Sequence, residues 1–243
     1  MTIETEGLDR LPMSDTLFQG MRHSREIRHD KSIGRTGLVL LVAFLFRIIA
    51  LDIKPPHFDE GINGHFVLQI WRDGFYSYDP TNFHGPLYFY LLHFAEILWG
   101  RSVESFRIIN ALIAVGLVWA VWSLRREMGR VAEWAAWILA VSPAFVFYGR
   151  YAIHESLFVL GQVLFVAGRL RRRSLLTALG AVIMIATKET FFIFIGTWLI
   201  AEVLIGWLER WELGGARVTE PRESRWVLVA AIVLSVTSLL LLF

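Results

Sequence analysis

PLYFYLLHFAEILWG, residues 86–100, is the stretch on which the fold turns. It is apolar but slightly short for a bilayer crossing, which takes roughly 17–25 residues, and it carries His93 and Glu96. Read as a span, it moves the Arg125–Arg130 turn to the outer side and breaks the alternation of basic loops in mid-chain. Read as a helix lying on the outer surface, it keeps that turn with the basic N-terminal tail, and we adopt this reading. Just upstream, Phe58, Ile62, Phe66 and Ile70, with Val67 and Trp71 beside them, recur at helical spacing. The expectation is two interfacial helices, Asp59–Trp71 and Pro86–Gly100, separated by the turn-rich segment 72–85.

Composition places these helices at a membrane. Hydrophobic residues make up 55% of the 243 and charged residues 19%, against about 45–50% and 25% in soluble domains. The mean hydropathy is +0.51. Ten Trp and eighteen Phe fit the aromatic preference for membrane interfaces. The pI near 9.1 comes from short basic stretches between apolar runs, a topological pattern that gives no reason to invoke nucleic acid. With no cysteine, disulfides, thiolate ligands and a cysteine nucleophile are excluded, and any metal must be held by His and carboxylate.

Apolar runs near 36–52, 108–124, 131–149, 190–207 and 226–243 are long enough to cross, and runs near 152–168 and 174–187 are interrupted or short. The fold class expected is all-α, a polytopic membrane protein of about seven transmembrane helices. Residues 1–33 form a cytoplasmic tail without a cleavable leader, 34–207 a transmembrane module with outer loop 53–106, 208–225 a cytoplasmic linker, and 226–243 a last span. The chain stops at the end of an apolar run, as a fragment or the front module of something longer would. Lys and Arg bias sets the N-terminus in the cytoplasm and leaves few basic residues outside, among them Arg107, Arg150 and Lys188. No internal repeat is visible, against a transporter of paired halves.

Polar chemistry gathers on the outer side in three stretches. HFDEGINGH, residues 57–65, holds the pair Asp59 and Glu60, with His57, Asn63 and His65, and His84 follows before Pro86. A carboxylate at a water-accessible face can serve as general base for a hydroxyl; equally, Asp59 could be the N-cap of its helix with Glu60 in the first turn. YGRYAIHE, residues 148–155, puts Arg150, His154 and Glu155 within about one and a half helical turns. Here Arg150 and Tyr151 also read as an interfacial anchor, whereas Glu155 leads an apolar segment and calls for a cavity or a partner. ATKET, residues 186–190, supplies Lys188, a cation suited to a lipid phosphate, or simply the tight turn of a helical hairpin. Arg47 inside the first span reads as structural, snorkelling or paired with an acid; His93 and Glu96 read as a polar helix face, and Glu133 and Glu202 as solvated.

The order of these parts resembles the GT-C type glycosyltransferases that use lipid-phosphate sugars, the class of protein O-mannosyltransferases and the aminoarabinose transferase of lipid A. HFDEGINGHF, YDPTNFHGPLYFY and ATKET are most similar to the flippase-activity-associated family of archaea and bacteria. The resemblance covers residues 36–207 or so. It implies an inverting sugar transfer from a polyprenyl-phosphate donor to a glycan or protein acceptor at the extracytoplasmic face of the plasma membrane. It implies Asp59 as catalytic base, Glu60 as its companion and Glu155 as the second outer acid, where an Asp is more usual. Lys188, Arg150 and His84 would meet the lipid phosphate, with a divalent metal ion on His84 and Glu60 as an optional participant. A non-catalytic protein that binds lipid-linked sugars during translocation is the alternative the family's label carries.

Overall fold

The structure is a computed structural model that describes residues 33–212, with side chains described as far as residue 207. Contacts divide the chain into residues 1–39 and residues 40–243. Within the first unit the described residues, 33–39, are helical; everything below concerns the second.

Among the described residues the fold is all-α, as expected, with a single isolated β-bridge and no strand. Helical residues 40–48 (α1) lead to α2 (Phe58–Asp73), α3 (Pro86–Trp99), α4 (Val103–Ser123), the single turn α5 (Arg125–Met128), α6 (Arg130–Val141), α7 (Pro143–Arg150), α8 (Glu155–Leu170), α9 (Ser174–Thr187) and α10 (Phe191–Glu212). Among the described residues one helix is long and apolar enough to cross a membrane, Val103–Met128, formed by α4 and α5 together. Helices also occupy the apolar runs expected near 36–52, 152–168, 174–187 and 190–207, while the run at 226–243 and the linker 208–225 lie outside the residues described in full.

The run near 131–149, expected to be long enough to cross, is bent by 62° between α6 and α7. Pro143 is the cause. It has no N–H to give the carbonyl four residues back, Leu139, and its ring disfavours helical backbone at Ser142. Ser142 is accordingly extended, at φ −60° and ψ 129°. Arg47 repairs the break. Its guanidinium donates to Leu139 O at 2.6 Å, Ala140 O at 3.1 Å and its own-helix Ala43 O at 3.1 Å, and it is 1% exposed. The expectation that Arg47 snorkels or meets an acid is therefore corrected: orphaned carbonyls are its partners.

Helices α8 and α9 lie closest. A methyl group on Gly168 would stand 2.3 Å from Thr177 N, and one on Gly180 would stand 2.4 Å from Phe165 N and 2.6 Å from Gly161 O. Glycine at these positions lets the two backbones touch, the device by which helices associate in lipid. We expect Gly180→Ala to push α9 away and cost about 1–3 kcal/mol, read as a fall in the thermal midpoint of the detergent-solubilised chain; an unchanged midpoint would mean the contact is looser than described. Phe158, Val166, Met184, Phe194 and Trp198 seal α8, α9 and α10 together. A second core of Val67, Tyr88, Leu92, Phe106, Ala152 and Leu157 unites α2, α3, α4 and α8. That core forms the floor of the polar cluster described next.

Candidate functional site

Helix α2 begins at a cap the sequence reading misplaced. His57, not Asp59, is the N-cap: its Nδ1 accepts from Asp59 N at 3.3 Å, while Glu60 Oε2 accepts from His57 N at 2.8 Å, closing a capping box. Asp59, in the first turn, is thus relieved of capping. Its carboxylate is 43% exposed and stands 3.3 Å from His57 Nδ1.

Glu60 has the opposite environment. Its side chain is 1% exposed and both oxygens are fully engaged. Oε1 accepts from Arg107 Nε at 2.8 Å and Ala152 N at 3.1 Å; Oε2 accepts from Arg107 Nη2 at 2.8 Å and from His57 N. Four donors fill a carboxylate's four lone-pair directions. The divalent ion expected on His84 and Glu60 therefore meets a Glu60 already committed, and among the described residues no three His, Asp or Glu form a set able to hold a metal.

Arg107 is the residue the sequence reading passed over. Its guanidinium is 3% exposed; besides Glu60, it donates to Leu51 O, to Lys54 O at 2.9 Å and to Pro55 O at 3.1 Å, and it lies 4.9 Å over the Tyr151 ring. One side chain ties the 51–55 turn, the start of α2 and the 150–154 segment to α4. An arginine in the first turns of an apolar helix was the available signal, since such a charge requires a buried partner. Asn63 and Asn110 complete the brace. Asn63 Nδ2 donates to Ala152 O at 2.7 Å, and Asn110 Nδ2 to Tyr148 O at 3.0 Å and also to Tyr151 O.

Against this brace the second and third polar stretches meet. His84 and Lys188 form an antiparallel bridge, Gly85 N donates to Thr187 O at 3.0 Å, and Glu189 N to Phe83 O at 3.3 Å. Gly85 is required because a methyl there would sit 2.4 Å from Ala186 O. Phe83 is held at φ 53°, a left-handed conformation that is rare for a bulky residue and stores about 1–3 kcal/mol. Lys188 Nζ donates to Glu155 Oε1 at 2.8 Å. The His84 ring lies 3.9 Å from the His154 ring, which is buried among Tyr88 and Phe89. Tyr76 Oη donates to His84 O at 2.8 Å, and Tyr78 Oη to Glu189.

The structure thus brings His84, Glu155 and Lys188 into one cluster, with Asp59 within electrostatic reach of His84. Arg150 is not part of it: its guanidinium donates to Phe46 O at 3.1 Å and to Ala50 O, satisfying the end of α1. His65 faces Gln69 at 3.3 Å on the exposed side of α2. His93 and Glu96, expected as a polar helix face, turn toward α2: Trp71 Nε1 donates to Glu96 Oε2 at 2.6 Å and the Trp71 and His93 rings are 4.5 Å apart. Glu202, expected to be solvated, accepts from Arg169 at 3.1 Å and Trp198 at 2.7 Å.

Four buried polar atoms in the cluster lack a hydrogen-bond partner: His84 Nδ1, His154 Nε2, Glu155 Oε2 and Thr190 Oγ1. An unpaired buried polar group costs about 1–3 kcal/mol, so each of these four atoms, drawn from three stretches of chain, would be stabilised by a water or ligand atom brought against it. Burial first, and the Lys188 ammonium second, hold the His84 imidazole below its ordinary 6.5, with the Asn82 backbone and then the Glu155 and Asp59 carboxylates opposing. A depressed histidine makes the folded state bind fewer protons, so its contribution is complete above pH 6.5 and is lost as pH falls through the lower folded value. We expect the thermal midpoint to fall on acidification from pH 7 and the fall to be shallower in His84→Asn. Parallel curves for the two proteins would contradict this. Comparison of the chain with protein-family models, with curated proteins and with solved structures gives no match.

Proposed function

We propose that the chain is a multi-pass membrane glycosyltransferase that moves a sugar from a polyprenyl-phosphate donor to an acceptor at the extracytoplasmic face. The observation that carries the reading is the cluster of His84, His154, Glu155 and Lys188 with its unpaired buried polar atoms. Its two kinds of partner suit a glycosyl phosphate. Lys188 offers a cation to the phosphate, and Glu155 Oε2 offers an acceptor that a sugar hydroxyl can satisfy.

In this reaction the Asp59 carboxylate takes the proton of the acceptor hydroxyl or amine as its lone pair attacks the anomeric carbon from the side opposite the phosphate. The bond from that carbon to the phosphate oxygen breaks, and lipid phosphate departs with the electron pair and configuration inverted. Lys188 meets the charge that develops. Glu60, held by Arg107, fixes the first turn of α2 and so the direction of Asp59. Of the three residues expected at the phosphate, Arg150 is committed to the carbonyls of Phe46 and Ala50, which leaves Lys188 and His84; no step requires a metal.

Membrane embedding draws support from the outward faces of the helices. Leu175, Leu179, Val182 and Ile185 on α9, and Val131, Trp134, Ile138 and Val141 on α6, are exposed at helical spacing. Continuous apolar surface of this kind is rare on a soluble monomer. Seven spans, with the N-terminus cytoplasmic and α2 and α3 interfacial, accommodate them. The test is incubation of the purified chain with a series of polyprenyl monophosphate sugars and an acceptor, following free polyprenyl phosphate. Acceptor-dependent release is expected; donor binding without release for every sugar would favour the non-catalytic, lipid-linked-sugar-binding alternative.

A further inference from the structure

We propose a binding site for anionic phospholipid headgroups at the end of the bundle opposite the polar cluster. Two turns far apart in sequence are joined there. Arg171, in the α8–α9 turn, donates from Nε and Nη2 to the two Glu127 oxygens at 2.8 and 3.2 Å and from Nη2 to Ser123 O at 2.7 Å, clamping that turn onto α5. The clamp gathers Arg126 and Arg130 from one turn with Arg172 and Arg173 from the other, all four exposed and without an ion-pair partner among the described residues. The nearest carboxylates do not neutralise them: Glu127 is consumed by Arg171, and Glu133 on α6 forms no ion pair with a described residue.

Apolar side chains border the four arginines. Leu175 is 86% exposed, Trp134 68% and Val131 65%. Guanidinium groups above exposed Leu, Val and Trp match the boundary between headgroup phosphates and acyl chains, where arginine binds phosphate bidentately. Depth agrees as well. Glu155 in the polar cluster and the turn after Leu170 stand at the two ends of α8, whose 16 residues span about 24 Å, most of a hydrocarbon core about 30 Å thick. Charge selects the ligand: a phosphodiester lipid of net negative charge, such as phosphatidylglycerol, over the zwitterionic phosphatidylcholine. This inference is independent of the chemistry at the other end.

The experiment is native mass spectrometry of the full chain in mild detergent, titrated with phosphatidylglycerol, with phosphatidylcholine or with inorganic phosphate. Preferential retention of phosphatidylglycerol is expected. Each arginine near an anionic surface is worth roughly a five-fold change in affinity, so R172Q with R173Q should weaken phosphatidylglycerol roughly 25-fold and leave phosphatidylcholine unchanged. The charge-keeping pair R172K and R173K should retain the preference, which separates loss of charge from misfolding. Equal retention of the two lipids, an unaltered preference in the glutamine pair, or displacement of the lipid by inorganic phosphate would each overturn the proposal.

Discussion

Asp59→Asn is expected to reduce acceptor-dependent release of lipid phosphate by about 10²–10⁴-fold, the contribution of a positioned general base, while leaving donor binding and the thermal midpoint near those of the native chain. The separation of effects follows from its surroundings. Asp59 is half-exposed, accepts from no side-chain donor among the described residues, and leaves the capping of α2 to His57 and Glu60, so amide for carboxylate removes a proton acceptor and little else. Lys188→Ala should behave differently, weakening donor binding because it removes the cation that meets the phosphate. Unchanged turnover in a well-folded Asp59→Asn protein would remove the base from Asp59 and with it the proposed chemistry.

Arg107→Met should be the most destabilising single change in the polar region. It strands the Glu60 carboxylate in a site where both partners are 3% exposed or less, and it releases the carbonyls of Leu51, Lys54 and Pro55. Removing one member of a buried pair costs about 3–5 kcal/mol. At about 2–4 °C per kcal/mol for a chain of this size, the thermal midpoint should drop by roughly 6–20 °C. Replacing both, Arg107→Met with Glu60→Leu, should recover part of the loss, because the uncompensated charge is gone. If Arg107→Met melts within a degree or two of the native chain, the brace is not what holds α2.

The parts of this molecule governed by local periodicity could be read from the chain. Phe58, Ile62, Phe66 and Ile70 announced α2, and Pro86 with Gly100 bounded α3 at both ends. The three polar stretches were also visible, because charged residues beside apolar runs stand out in hydropathy. Their partners were hidden. Glu60 and Arg107 are 47 positions apart, and Arg47 reaches carbonyls more than 90 positions away; no period in the sequence encodes such pairings. Pro143 was in plain sight, yet its consequence depended on whether a donor elsewhere could satisfy Leu139 O and so permit a bend. Arg150 shows the same limit, since an arginine at a helix end fits a phosphate and a neighbouring helix terminus equally well until the neighbour is known. His154 stood in the second polar stretch without a role of its own, because a histidine between Ile153 and Glu155 carries no sign of the ring stack that buries it.

A structure of the full chain with a polyprenyl monophosphate sugar bound would test the shared site most directly. The account predicts the phosphate against Lys188 Nζ, a sugar hydroxyl on Glu155 Oε2, and the anomeric carbon facing Asp59. Donor density elsewhere on the molecule, with His84, His154, Glu155 and Thr190 still unpaired, would contradict it.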